Sequence, residues 1–472
     1  MHARYLAEPI AWVEVDGDTI ALNQRRPAWA CVNDTALWIV QFLEREGGAT
    51  VQTMAARYRE MFDDIADDEM GAVLESLEGV GLVRRQAEQS PPVPSQTPDT
   101  GQPISEPSDA GHDYGVEHIY IELLARCNLR CIHCFMEGAP DRTELLERHE
   151  VERILHQFSA GGGRYVTLSG GEPLLYREFE AIAREVAALG LLGTVVSNGT
   201  VLRDHHLALI DELGFNLAIS VDGVSAPVND RIRGPGTHRR IMAAVDRALA
   251  VIGPHRFILS FSPSRRNLDE IPALFMLARE RGIRRLNLSL IEDVGRASDH
   301  RDDLALSESD RVRIIDMVYS QALTHLGAIE VDFNDTRNIL EVFRTNRPLH
   351  SLHPLWRGIR LDSRGDVYPS TLSSATAYRL GNVRDSSLAE IMASPILTEL
   401  YSELHDRFLH INRCRECAWR QLCRGGSVTS AYYSTGSLLA PDAYCAGYLE
   451  TFPRVAVRLA NLARGGDQES AP

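Results

Sequence analysis

The chain opens on two short, largely apolar runs and soon switches to helical spacing. Ala11-Trp12-Val13-Glu14-Val15 and Thr19-Ile20-Ala21-Leu22 read as two short strands, joined through Asp16-Gly17-Asp18, a hairpin signal. Ala36, Ile39, Val40 and Leu43 then follow an i, i+3, i+4, i+7 pattern. A second helix is predicted around Met54, Tyr58 and Met61, and a third around Val73, Leu74, Leu77 and Val80, ended by Gly81 before Leu82-Val83 turns back to strand. A strand pair with three helices predicts a small winged-helix-like α+β domain over residues 1–87.

Residues 88–113 break the pattern. Six prolines sit there among Gln, Ser, Thr and Asp without apolar periodicity, the composition of an extended linker. Beyond it, strand and helix alternate. Candidate strands are 118–124, 164–169, 193–197, 217–222, 256–262 and 286–291. Amphipathic stretches lie between them, one with Val151, Ile154, Leu155 and Phe158, another with Phe179, Ile182, Val186 and Leu189. Six βα repeats predict an α/β domain with a parallel sheet over 114–340; a partial βα barrel and a doubly wound sheet both fit, and both put function in loops at the C-terminal strand ends. Residues 341–455 read as a small, loop-rich domain, and 456–472 as a tail.

A length of 472 residues makes two or three domains the expectation, and 44% apolar with 24% charged residues is ordinary for a globular protein. The net charge of -16 argues against nucleic acid as a partner, since phosphates want a basic surface. No stretch resembles a signal peptide or a membrane span, so a cytoplasmic protein without a membrane partner is expected. There the eight cysteines read as metal or cluster ligands before disulfides. Cys31 stands alone and reads as a small core residue.

Cys127, Cys131 and Cys134 follow directly on the first strand of the α/β region. Three thiolates on one tight loop can hold three irons of a four-iron cluster and leave the fourth open, as a catalytic site requires. The alternative is zinc, but three cysteines do not close a tetrahedron. His133 is a poor fourth ligand, because it and its neighbour Cys134 can hardly face one metal.

This C-x-x-x-C-x-x-C loop resembles the signature of the radical S-adenosylmethionine (SAM) superfamily, and the likeness runs through residues 117–297. Ser169-Gly170-Gly171-Glu172-Pro173 resembles the family's GGEP motif, Ser197-Asn198-Gly199-Thr200 its T-N-G, and Ser220-Val221-Asp222-Gly223, Arg231-Ile232-Arg233-Gly234 and Gly295-Arg296-Ala297 its later positions. The resemblance implies a partial (β/α)6 TIM-like barrel holding a [4Fe-4S] cluster and SAM. It makes Gly170, Gly171, Glu172, Pro173, Asn198, Ser220, Asp222 and Arg233 cofactor-binding residues, with Glu172 accepting from the cosubstrate ammonium and Arg233 near its carboxylate. The implied chemistry is reductive C–S cleavage to a 5′-deoxyadenosyl radical that takes a hydrogen from an unactivated C–H bond. An electron donor such as flavodoxin or ferredoxin is implied as well. No catalytic acid or base is named.

Cys414, Cys417, Cys423 and Cys445 supply four thiolates, enough for a closed cluster or a zinc ribbon. They resemble the SPASM extension of peptide-modifying radical enzymes, which usually has seven cysteines and two auxiliary clusters. Ser370 and Ser427 stand where that pattern has Cys, the first Cys is missing near Leu355-Trp356-Arg357-Gly358, and Thr371 replaces an Asp that serves relatives as general base. One auxiliary [4Fe-4S] cluster is therefore expected. Residues 5–85 resemble the small peptide-binding domain related to protein D of pyrroloquinoline quinone biosynthesis, which takes a leader peptide as an added strand. A DNA-binding winged helix is the alternative, and the acidic residues Asp63-Asp64 and Asp67-Asp68-Glu69 count against it. Three functions follow in order: C–H functionalisation of a ribosomally made precursor peptide, by cross-link or similar; a radical enzyme for a small molecule such as a tetrapyrrole; and a non-catalytic peptide-binding scaffold.

Overall fold

The computed structural model describes residues 3–62, 65–86, 116–334, 338–345, 358–369, 372 and 376–464. The linker 88–113, Asp63-Asp64, Leu355-Trp356-Arg357, Ser370 and Thr371 lie outside the described residues.

The N-terminal part is richer in strands than its sequence pattern predicts. It consists of β1 (Arg4–Ala7), β2 (Ile10–Val15), β3 (Asp18–Asn23), β4 (Trp29–Val32), α1 (Asp34–Glu46), β5 (Ala49–Thr50), α2 (Val51–Arg59), α3 (Asp67–Gly79) and β6 (Val83–Gln86). The β2–β3 hairpin turns on Asp16 (φ 51°) and Gly17 (φ 88°), two consecutive positive φ angles that a two-residue hairpin of this hand requires. Asn33 caps α1 by accepting from Ala36 N, and Gly47 ends it in the left-handed region. Strands pair antiparallel in two sheets, β5-β1-β6 and β2-β3-β4.

The β2-β3-β4 sheet is buried on both faces. Ile10, Trp12, Ala21, Ala30 and Val32 close the N-terminal core against α1, whose Ile39, Val40 and Leu43 are fully buried. The opposite face, Ala11, Val13, Val15, Ile20, Leu22, Trp29 and Cys31, belongs to the main core of the molecule. Polar contacts fix the docking: Trp29 Nε1 donates to Phe343 O at 2.9 Å, Gln24 Nε2 to Ala418 O at 3.0 Å, and Gln421 Nε2 back to Gln24 O at 2.9 Å.

The α/β domain follows the predicted alternation: β7 (His118–Glu122), α4 (Arg148–Ala160), β8 (Tyr165–Ser169), α5 (Phe179–Ala188), β9 (Leu192–Ser197), α6 (Asp204–Glu212), β10 (Asn216–Ser220), α7 (Ala226–Arg233), α8 (Thr237–Ile252), β11 (Phe257–Phe261), α9 (Ile271–Glu280) and β12 (Arg285–Leu288). The sheet extends beyond the six predicted strands. β13 (Glu330–Phe333) continues it beside β12, and β14 (Gly358–Leu361) pairs parallel with β7 at the other edge, followed by antiparallel β15 (Asp366–Pro369) and β16 (Gly381–Asn382). The region read as loop-rich thus contributes three strands to the main sheet, and the boundary at 340/341 runs through one continuous core. The tail boundary at 456 falls within the helix Cys445–Ala463. That helix packs on the helix Glu308–Thr324 through Tyr319 against Tyr448 and Phe452, and Gly447 allows the approach, since a Cβ there would lie 2.8 Å from Ile315 Cγ1. No helix among the described residues is long and apolar enough to cross a membrane.

Candidate active site

A cavity of about 350 Å³ opens at the C-terminal ends of the parallel strands. Cys127, Cys131 and Cys134 form one wall, Gly170, Gly171 and Asn198 another, and Ser220 and Arg233 a third. Hydroxyls ring the strand ends: Ser169 closes β8, Ser197 β9 and Ser220 β10, while Ser262 and Ser289 follow β11 and β12. Sequence reasoning singled out only Ser220 as a binding residue. The others carry a common signal, a serine at or just past the last residue of an apolar strand, where a small polar side chain leaves room for a ligand.

The cysteine loop is held from three directions. Cys127 N donates to Ala139 O at 3.0 Å, and Ile132 N donates to Ile232 O at 3.0 Å at the end of α7. Arg296 closes the third side: Nε donates to Cys131 O at 3.0 Å, its NH2 group to Gly138 O at 2.7 Å, and its backbone N to Cys134 O at 3.1 Å. Gly295 (φ 58°) permits this approach, because a Cβ there would lie 2.3 Å from Phe135 O. A glycine is required at 171 also, where a Cβ would lie 2.3 Å from Arg126 O. Burial pushes the Cys127 thiol up to about 12 and Cys131 to about 11. A metal bound here therefore displaces thiol protons. Leu129 N and Asn198 Nδ2 donate to Cys127 Sγ at 3.4 and 3.7 Å, placing donors where sulfur charge would develop.

Three of the expected cofactor residues stand behind the wall instead of lining it. Glu172 is fully buried, and its carboxylate accepts from Ser197 Oγ (2.8 Å), Asn198 N (2.8 Å) and Leu174 N (3.2 Å). It ties the Gly-Gly-Glu-Pro turn to the end of β9. Burial pushes it up to about 7 against the opposing pull of those donors. Pro173 starts a short 3-10 turn and is buried. Asp222, 1% exposed, accepts from Ser262 N at 2.9 Å and lies 2.6 Å from Arg233 Nε and 3.1 Å from His133 Nε2. Burial raises the Asp222 carboxyl, but Arg233 and His133 outweigh it and hold it below the carboxylate range. Asp222 thus fixes two residues that do line the cavity, Arg233 and His133. His133 was weighed only as a zinc ligand; its pairing with Asp222 depends on α7 and β10 meeting behind the cysteine loop, which local sequence does not encode.

Cys414, Cys417, Cys423 and Cys445 line a second, largely apolar cavity of about 310 Å³, with Trp419, Leu449 and Phe452. Val13 of β2 lines it as well, so the N-terminal sheet forms part of its wall. Burial pushes the Cys414 thiol up to about 11 and raises Cys417, Cys423 and Cys445. Ser427 is built into a helix start. Its Oγ caps the helix Val428–Thr435 by accepting from Ser430 N, and its backbone N donates to Asp442 Oδ2 at 2.8 Å. The same helix joins the two cavities: Thr429 and Tyr433 line the first, while Ser430 bonds Asp442, which lines the second.

The donor sets suit iron–sulfur centres. A three-thiolate loop leaves one iron open beside a glycine-lined, hydroxyl-rich hollow, and a four-thiolate set can close another. Comparisons with known proteins agree. Residues 121–289 match the family model described as the radical SAM superfamily, and residues 354–418 match the SPASM model, described as an iron–sulfur cluster-binding domain. The chain is 27% identical over 345 residues to the AdoMet-dependent heme synthase of Methanosarcina barkeri, covering 69% of this chain and 94% of that protein. It is 24% identical over 329 residues to the mycofactocin maturase MftC of Mycolicibacterium smegmatis, covering 69% and 81%. Among solved structures, Streptococcus suis SuiB bound to precursor peptide SuiA superposes with a TM-score of 0.56 at 13% identity, covering 94% of this chain and 99% of that one. That likeness concerns the fold, N-terminal part included.

Proposed function

Starting from a radical SAM enzyme with an iron–sulfur cluster-binding SPASM domain, we propose that the chain modifies a ribosomally made precursor peptide by functionalising a C–H bond. The observation that carries this reading is the docked N-terminal domain. A small α+β unit packs its β2-β3-β4 sheet on the C-terminal helix, with β2 at the sheet edge and Val13 in the wall of the four-cysteine cavity. A sheet edge can take an extended peptide as an added strand. A leader held there places the rest of the peptide within tethered reach of the first cavity and raises its effective concentration. The names of two similar proteins, a mycofactocin maturase and a precursor-peptide complex, support a peptide substrate.

When bound, the cluster and SAM supply one-electron chemistry that removes a hydrogen atom from an unactivated carbon. The protein's own residues prepare the place for it. Cys127, Cys131 and Cys134 would hold the iron, with Arg296 keeping their loop in shape. Gly170 and Gly171 bring backbone close to the cosubstrate. The Arg233 guanidinium, fixed by Asp222, faces the cavity where a carboxylate suits it. Tyr433 and Thr429, from the helix Val428–Thr435, complete the cavity lining. Cys414, Cys417, Cys423 and Cys445 would hold one auxiliary cluster.

A second reading has its own support. The heme synthase match favours a tetrapyrrole or another small molecule as substrate. Mass spectrometry decides between them: the chain is co-expressed with any short peptide found encoded beside it, and the peptide mass is read. A loss of hydrogen or a new cross-link supports the peptide reading. An unmodified peptide that also fails to bind the protein contradicts it.

A further inference from the structure

Around the four-cysteine cavity the surface charge is opposite to that of the protein as a whole. The segment from Asn412 to Arg424 interleaves Arg413, Arg415, Arg420 and Arg424 with three of the cysteines, and Glu416 is its one acidic residue. The chain as a whole has a net charge of -16. Arg413 and Arg415 are exposed and Arg420 is half-exposed. Among the described residues, Arg415 and Arg420 hydrogen-bond only to neutral oxygens, those of Asn412 and of the Arg415 carbonyl, and no carboxylate neutralises Arg413. Arg424 is half-buried over the Phe408 ring and adds less. The N-terminal domain extends the patch. Its Gln24 is bonded to Ala418 and Gln421, which places the exposed Arg25 and Arg26 beside the segment; Arg25 lies 3.6 Å from Glu8.

Arg413 and Arg420 favour the thiolate form of Cys417, and Arg413 that of Cys414 and Cys445; the exposed Arg415 and Arg26 lie outside the cavity lining and are left for another task. They suit a partner that must come close to the centre and leave again. We propose that this surface, Arg413, Arg415 and Arg420 with Arg25 and Arg26, docks an acidic protein carrier of single electrons. Opposite charge speeds encounter and sets orientation, and electron-transfer interfaces are small and short-lived. One electron would leave the carrier, oxidising it, and reduce the centre that Cys414, Cys417, Cys423 and Cys445 would hold; no atom or proton would cross the interface. The proposal rests on the radical-enzyme reading.

The test uses the reconstituted full-length enzyme and an acidic flavodoxin as probe. Calorimetry measures flavodoxin affinity at low and high salt, and 5′-deoxyadenosine formation is followed with flavodoxin or with dithionite as reductant. The variants are Arg26→Glu/Arg415→Glu and the milder Arg26→Ala/Arg415→Ala; neither residue lines a cysteine cavity. The expected result is a flavodoxin affinity that weakens with salt and falls at least tenfold in the charge reversal, with a smaller loss in the alanine variant. Flavodoxin-driven turnover should fall alongside while dithionite-driven turnover stays within about twofold. Flavodoxin binding that is absent from wild type, indifferent to salt or unchanged in both variants overturns the proposal. Binding of an acidic peptide that displaces no flavodoxin leaves the docking surface standing, whereas a peptide that binds this patch in flavodoxin's place overturns it. A wild type that forms no 5′-deoxyadenosine with dithionite speaks instead against the radical chemistry beneath.

Discussion

Replacing Glu172 by alanine removes the acceptor of three buried donors at once: Ser197 Oγ, Asn198 N and Leu174 N, at 2.8, 2.8 and 3.2 Å. The serine hydroxyl can turn elsewhere, but the two backbone N–H groups cannot. Each buried donor without a partner costs about 1–3 kcal/mol, so the substitution should destabilise by about 2–6 kcal/mol before the cavity is counted. Native domains have only about 5–15 kcal/mol in hand. Glu172→Gln keeps the shape and one oxygen for Asn198 N, and turns an NH2 group toward Leu174 N, a loss of about 1–3 kcal/mol. Urea unfolding under anaerobic conditions measures both, and calorimetry gives SAM affinity alongside. Alanine should lose stability and SAM affinity together; glutamine should keep most of each. Glutamine with wild-type stability but SAM binding as poor as alanine would refute the positioning role, since it would mean that the carboxylate touches the ligand. The pH dependence checks the same geometry. Burial raises this carboxyl from 4.5 to about 7 in the folded state. Its stabilising contribution is present below about pH 4.5 and is lost as pH rises through about 7, a swing of about 3 kcal/mol. Glu172→Gln should abolish that component of the slope.

Arg296→Ala removes two side-chain bonds to the cysteine loop and should lower iron retention at the first site, read as iron per chain and visible absorbance; Arg296→Lys, which lacks the fork, should restore it only in part. Val13→Asp puts a carboxylate in the apolar wall of the second cavity and should expose the auxiliary centre, with faster loss of its absorbance in air. Ser427→Cys should add no cluster, because position 427 is committed as a helix cap: iron should stay near eight per chain, whereas about twelve would mean that a further site was present.

The chemistry-bearing residues were largely legible in the linear order of the chain, and their roles were less so. The cysteine loop after β7 and the glycines after β8 stand at strand ends, where alternation of strand and helix places ligand sites. Glu172 and Asp222 are expected as ligand contacts only through the family resemblance of their motifs. Their partners within the protein, Ser197, Asn198, His133 and Arg233, come from other strands and loops, and only packing brings them together. The strands β14 to β16 escaped notice because Gly358–Leu361 and Asp366–Pro369 are four residues each and contain Arg360 and Asp366. Arg360 is buried against Glu122 at 2.6 Å, a pairing invisible from either segment. The docking of the N-terminal sheet did leave a trace. Ile10 through Val15 is almost continuously apolar, the pattern of a strand buried on both faces, where a strand facing solvent on one side alternates.

Anaerobic incubation of the reconstituted protein with SAM and dithionite tests the central assignment most directly, with a Cys127→Ala/Cys131→Ala/Cys134→Ala variant beside it. The account predicts 5′-deoxyadenosine from the wild type and none from the variant, while the variant keeps the iron held by Cys414, Cys417, Cys423 and Cys445. A wild type with confirmed iron at both sites and no 5′-deoxyadenosine, or a variant that still forms it, would contradict the account.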